Sequence, residues 1–219
     1  HGPYVNLAKN VNDMALSQIP EYWGISTLVL TDNDLTIFGF SNGSWVEREH
    51  IEIDRKGVVL KTGDLNGDWI TDIAVGTTDG INLYLYSIES EGWVKEYIPA
   101  AGNVATMDVA DVNGDGFTDI AVGPMGGGIP LVLLFTPSPN PPASEFPIPH
   151  IWSVMRAYIP DNIPGIRQII LVDLDGTGLP GMLVVSEAVD KSVYLTNDGS
   201  GKMLQTNFYL SGKVFGAGV

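Results

Sequence analysis

The chain contains no cysteine, and only 11 of its 219 residues are basic. Without Cys there is no disulfide, zinc–thiolate centre, Fe–S cluster or cysteine nucleophile, and the redox compartment stays open. Set against 26 acidic side chains, the shortage of bases leaves a formal charge of −15 and an isoelectric point near 4.3. Nucleic acids are held by basic surfaces that release counterions from phosphates, so this balance argues against them as partners. It disfavours an anionic membrane surface for the same reason. Charged residues of either sign make up only 17% of the chain, whereas 44% are apolar. That is enough for a core in one ordinary domain or a single large all-β one. Apolar runs such as Ile129 to Phe135 fall far short of the roughly 20 residues of a membrane-spanning helix. No stretch of a dozen residues shows helical periodicity. G-x-S-x-G, P-loop and H-E-x-x-H motifs are absent as well. The chain begins at His1 rather than Met, as expected of a mature form or a fragment, and no signal peptide is legible in it.

What the sequence does have is repetition. Thr62 to Thr77 reads TGDLNGDWITDIAVGT and Val109 to Pro124 reads VADVNGDGFTDIAVGP, with a degenerate third copy, VDLDGTGLPGMLVVS, at Val172 to Ser186. The first aspartates fall at 64, 111 and 173. The longer second spacing is accounted for by a Pro-rich insert, Thr136 to Pro149, expected to be a surface excursion. Trp45, Trp93 and Trp152 keep the same beat, and Met203 takes their slot in the last unit. The first unit should carry an Asp loop near Gln18 to Tyr22, but reads SQIPEYWG there and has lost its acids.

Each unit parses as a strand, an Asp-rich turn, a short apolar strand, a third strand and the Trp or Met strand. β-Branched and aromatic residues with period two, punctuated by Gly, Asn and Asp, are the signals used. Four strands per unit of this length predict an all-β chain of about four propeller blades, near residues 1–56, 57–102, 103–164 and 165–219. A two-sheet sandwich is the alternative. It leaves two nearly identical loops in phase with three tryptophans unexplained.

The repeat motif is D-x-N-x-D-x-x-x-D: Asp64, Asn66, Asp68 and Asp72, then Asp111, Asn113, Asp115 and Asp119. A hard divalent cation takes six to eight oxygens, which a tight loop presents from alternate residues. Positions 1, 3, 5 and 9 supply side chains, and the backbone carbonyl at position 7, Ile70 or Phe117, supplies another oxygen. Ca²⁺ fits better than the strictly octahedral Mg²⁺. An EF-hand is excluded, because position 12 is Val75 or Val122 rather than Glu. The competing reading is a polar turn whose Asp and Asn side chains bond their own backbone. The third loop keeps Asp173, Asp175 and Thr177 but has Gly181 at position 9, which makes it a weak or vestigial site.

DLNGDWITDIAVG and DVNGDGFTDIAVG resemble the FG-GAP/VCBS-type calcium-binding repeats of integrin-α-like β-propellers, and NDGSGKM (Asn197 to Met203) resembles the hairpin that follows in them. The resemblance implies structural Ca²⁺ loops and a secreted or cell-surface protein for adhesion, glycan binding or scaffolding. It also implies rings of seven or eight blades. The four units here are therefore expected to be part of a larger ring, completed by further blades or another subunit.

The function expected is a non-catalytic interaction module with a protein or glycan ligand. The alternatives are a lectin, or a propeller subunit of an enzyme such as a polysaccharide lyase. No cluster of acid, Arg and His side chains marks a catalytic centre, and a surface placement is expected for His50 and His150. The recurring tryptophans are expected to pack between blades. Trp69, inside an Asp loop, is the better candidate for ligand contact. Asn42-Gly43-Ser44 is a glycosylation sequon but reads more readily as a hairpin turn, and the Pro-rich insert is the strongest partner-specific feature.

Overall fold

The computed structural model describes residues 4, 5, 7, 9–19, 24–139, 149–157, 163–188 and 191–211. In chain order its strands are β1 (Asp13–Ser17), β2 (Ser26–Leu30), β3 (Asp34–Ser41), β4 (Ser44–Glu52), β5 (Gly57–Gly63), β6 (Asp72–Thr77), β7 (Ile81–Ser87), β8 (Gly92–Ile98) and β9 (Val104–Ala110). They continue with β10 (Asp119–Pro124), β11 (Gly127–Gly128), β12 (Leu131–Pro137), β13 (His150–Arg156), β14 (Ile163–Pro164), β15 (Ile166–Val172), β16 (Gly181–Ser186), β17 (Lys191–Asn197) and β18 (Met203–Ser211). No α-helix occurs among the described residues.

Four antiparallel sheets of four strands follow one another: β1–β4, β5–β8, β9-β10-β12-β13 and β15–β18, with β11 and β14 pairing as a small separate ribbon. The repeat had outlined this order, but not the ribbon. The second strand of each sheet explains the rest of the geometry. DIAVGT in β6 and GMLVVS in β16 are buried along their whole length, as strands covered on both faces must be. The outermost strands alternate between covered and exposed residues. Asn42 and Gly43 both have positive φ, at 53° and 79°, so the sequon forms the tight β3–β4 turn.

The innermost strands pack in series, β1 on β5, β5 on β9 and β9 on β15, and among the described residues the sheets form an open arc rather than a closed ring. Each junction holds its own apolar cluster. Leu28, Leu30, Leu35 and Ile37 of the first sheet meet Ile73, Val75 and Tyr84 of the second. Leu83 and Leu85 meet Met107, Ile120 and Leu133. Ala121 and Val132 meet Met182, Val184 and Met203.

Polar clasps tie the same junctions at both rims. At the outer rim Trp93 Nε1 donates to Glu49 at 2.8 Å and Trp152 Nε1 to Glu96 at 2.9 Å. The tryptophans are thus blade-to-blade pieces. Near the axis Asp13 accepts from Leu60 N–H at 2.8 Å, Asp108 from Leu171 N–H at 2.8 Å, and Lys61 pairs with Asp108 at 2.9 Å. His150 does not stand on the surface as expected. It stacks on Phe135 and lies 3.0 Å from Glu96, drawn into the junction by the same carboxylate that holds Trp152.

Candidate metal centre

The three Asp loops join the first and second strands of the second, third and fourth sheets. They share one hydrogen-bond scheme. The position-1 carboxylate accepts the N–H of position 4 through one oxygen: Gly67 to Asp64 at 2.7 Å, Gly114 to Asp111 at 2.7 Å, Gly176 to Asp173 at 2.8 Å. Its other oxygen accepts the N–H of position 6, from Trp69, Gly116 and Gly178, each at 2.8 Å. Position 3 folds onto position 5 in the same way, Asp68 N–H to Asn66 at 2.9 Å and Asp115 N–H to Asn113 at 3.1 Å. Position 5 accepts from the N–H of position 7, Ile70 at 2.8 Å and Phe117 at 2.9 Å. The turn is therefore wound by its own acids, and the polar-turn reading describes its local geometry.

That bonding does not exhaust the carboxylates, since each oxygen has two lone pairs. In the first loop, oxygens of Asp64, Asp68 and Asp72 all lie within 4.8 Å of one another, and this is the one such cluster found among the described residues. Oxygen-only donors carrying three negative charges fit a hard divalent cation. Burial holds the Asp68 carboxyl above its ordinary value despite the Ile70 and Asn66 hydrogen bonds. The loop could hold a metal ion, which would offset the mutual repulsion of these acids.

Position 9 has a further task that the spacing did not reveal. Asp72 is fully buried and accepts Leu65 N–H at 2.9 Å and Tyr86 N–H at 2.8 Å, tying the loop to β7. Asp119 does the same for Val112 and Phe135, both at 2.9 Å. Desolvation outweighs these bonds, pushing Asp72 up to about 8 and Asp119 up to about 7.

The fourth sheet solves the same problem differently. Gly181 stands at position 9, and the Tyr194 hydroxyl occupies the space: it accepts Leu174 N–H at 3.1 Å and donates to Val172 C=O at 3.1 Å. A Cβ on Gly181 would lie 2.4 Å from that oxygen. This loop retains two carboxylates, with Asp173 held below its usual range mainly by the Gly178 N–H. Thr177 hydroxyl donates to Asp175 at 2.8 Å.

Coverage declines along the series. The Phe117 ring packs over Gly67 so closely that a Cβ there would meet it at 2.4 Å, and Leu179 covers Gly114 less tightly. Phe117, nominated for its carbonyl, thus also supplies a lid to the preceding loop. The fourth-sheet loop is exposed from Asp173 to Gly178. Leu174 there is 53% exposed, while its counterparts Leu65 and Val112 are buried.

Trp69 is 94% exposed and sits at φ +67°. Gly116 and Gly178 take the same left-handed conformation at φ 88° and 87° without side chains. An L-residue bears a cost of about 1 kcal/mol there, and this ring recovers none of it by packing.

The repeat pattern gives no sign of the axial cavity of about 750 Å³, which Asp13, Lys61, Asp108 and Arg167 approach from four different sheets. These groups are engaged in stitching blades, apart from Arg167, which lies 3.5 Å from Glu187. Their only signal in the sequence was polar residues interrupting otherwise apolar inner strands.

Residues 64–122 match the family model of the FG-GAP-like repeat. A comparison with curated proteins finds no match. Among solved structures, the chain is similar to an Agrocybe aegerita lectin described as specifically recognising non-reducing terminal N-acetylglucosamine. That pair shows 16% identity and a TM-score of 0.56 over 90% of this chain and 50% of the lectin. It is also similar to BBS1N, solved in complex with ARL6DN and soaked with lead, at 11% identity and a TM-score of 0.59 over 94% of this chain and 59% of the other. The chain thus spans half to three-fifths of the length of these structures, and at such identities the likeness is one of fold. The FG-GAP-like match is thus confined to residues 64–122, within an all-β arrangement of blade-like sheets similar to those of propellers.

Proposed function

We propose that the chain is a calcium-stabilised, extracellular propeller module that presents surfaces to a protein or glycan ligand and has no catalysis of its own. The observation that carries the calcium reading is the convergence of Asp64, Asp68 and Asp72 oxygens within 4.8 Å. Asn66 and the Ile70 carbonyl complete that donor set. Asp111, Asn113, Asp115, Phe117 through its carbonyl and Asp119 form the second site. Bound Ca²⁺ would neutralise the carboxylates, leaving the loops to hold their hydrogen-bonded shape. The fourth-sheet loop, with Tyr194 in place of the third acid, needs no cation.

Isothermal titration of the metal-stripped chain with CaCl₂ tests this. Saturable binding is expected, with the tighter site lost in Asp68→Ala and the weaker in Asp115→Ala. No heat in the native chain would refute it.

The exposed Trp69 favours a ligand surface on the loop side of the arc, where an aromatic face can stack on a sugar ring or enter a protein pocket. A glycan array with native chain and Trp69→Gly separates the two. Sugar binding lost in the variant supports a lectin; an empty array directs the search to proteins.

A further inference from the structure

Position 7 of an Asp loop reaches back to position 4 of the loop before it. The Phe117 ring of the second loop covers Gly67 of the first and leaves no room for a Cβ there, and Leu179 of the fourth-sheet loop covers Gly114 of the second. The first two loops carry the same Asp, Asn, Asp and Asp side chains and the same hydrogen-bond scheme, so coverage is what separates them. Under the aromatic lid Asn66 is fully buried, and the Asp64, Asp68 and Asp72 oxygens converge. Under the smaller Leu179, Gly114 and Asp115 stay exposed, and the aspartates of the second loop form no such cluster among the described residues.

Phe117 is held from its own side of this junction. Its N–H donates to Asp115 at 2.9 Å. Its ring lies on Phe135 with 5.3 Å between centroids and a tilt of 31°, and Phe135 N–H donates to Asp119 at 2.9 Å. Asp115, Asp119 and the Phe117 carbonyl are all donors assigned above to the second site. The second site thus fixes both the backbone and the ring of the residue that closes the first.

The fourth-sheet loop shows how position 7 is pinned without a cation. The Thr177 hydroxyl at position 5, which donates to Asp175, also lies 3.3 Å from the Leu179 carbonyl. Asp115 stands at position 5 of the second loop, and an ionised carboxylate has no proton to offer a carbonyl. A cation there would supply the missing hold on Phe117.

We propose that Phe117 is a positioning residue for the first metal site and couples the two sites. Calcium among Asp111, Asp115 and Asp119 steadies the lid and raises affinity among Asp64, Asp68 and Asp72, and by linkage the first site strengthens the second to the same degree. Ordering the ring is a cost that one bound ion meets and the other then avoids. The coupling presupposes the calcium-loaded loops proposed above and adds that they fill cooperatively.

Calorimetric titration with CaCl₂ of the native chain, Asp68→Ala and Asp115→Ala tests it, each variant keeping one site. The product of the two native association constants should exceed the product of the single-site values about fivefold or more. In a Phe117→Ala background, which deletes the ring and keeps the carbonyl, the two products should agree. A second measurement does not depend on that variant folding. In Asp68→Ala, calcium at the remaining site should slow amide exchange, read by NMR, at Gly67 and Trp69, whose N–H groups Asp64 holds on the far side of the junction. Agreement of the products with Phe117 in place, or amides that calcium leaves unmoved, would overturn the coupling while leaving the calcium reading intact. Coupling that survives Phe117→Ala would overturn the role of the ring. A native chain that takes up no calcium would overturn both.

Discussion

Tyr194→Phe is the sharpest probe of how the fourth-sheet loop dispenses with its third acid. The substitution keeps the ring and deletes one oxygen, leaving Leu174 N–H and Val172 C=O without the partners each now has at 3.1 Å. Two neutral hydrogen bonds contribute about 1 kcal/mol each, and an orphaned buried group costs more than an exposed one. Leu174 is exposed, so water takes over part of the loss. The expected destabilisation is about 1.5 kcal/mol, or about 3–6 °C in melting temperature for a chain of this size. Gly181→Ala approaches the same oxygen from the other side, with its Cβ at 2.4 Å from the hydroxyl and 2.6 Å from Leu195 C=O. It should cost about 1–3 kcal/mol through overpacking. Because deleting the hydroxyl relieves the closer contact, the double variant should lose less than the two singles together. Urea unfolding in EDTA measures all three free energies, with Tyr4→Phe as an exposed control. A Tyr194→Phe variant as stable as the native chain, or strict additivity, would show that the hydroxyl is not the stand-in.

Three further outcomes are expected. Asp72 and Asp119 are pushed up to about 8 and about 7 against an ordinary 3.8, so between about pH 4 and 8 the folded chain holds protons that the unfolded chain has released. The cation-free protein should therefore lose stability as pH rises through that window, and a profile flat from pH 5 to 8 would contradict the burial. Calcium favours the ionised carboxylates, so its stabilising effect should be larger at pH 8 than at pH 6, measured by paired melts. Trp69→Gly should leave stability within about 0.5 kcal/mol, since relief of the left-handed backbone and the added freedom of the unfolded chain nearly cancel. A greater loss in urea unfolding would mean that the ring packs against the protein.

The repeat made most of the architecture legible. Asp64 and Asp111 head near-identical segments whose strand–turn–strand period carries over directly into four stacked sheets. Trp93 and Trp152 were readable as packing residues because they recur in phase. The acids that hold them were not, since Glu49 and Glu96 stand at different distances from their tryptophans until the β4 bulge is known. Asp72 and Asp119 were legible as oxygen donors but not as staples to β7 and β12, because their N–H partners lie 14 and 16 residues away. Tyr194 was invisible for the same reason: its hydroxyl stands in for the position-9 aspartate of the other loops, and the Gly181 found at that position lies 13 residues before it, across a strand pair. Residues 140–148 of the Pro-rich insert lie outside the described part of the structure.

The central claim is that calcium bound at the Asp loops stabilises this fold, and thermal melting of the same chain in EDTA and in millimolar CaCl₂ tests it most directly. At a hundredfold excess over the dissociation constant, one site adds about 2.7 kcal/mol, which for a chain of this length is about 5–10 °C. Asp68→Ala should lose much of that gain, and in EDTA should melt only about 2–4 °C below the native chain, the cost of the lost Ile70 N–H bond. A native melting curve that calcium leaves unmoved would contradict the account.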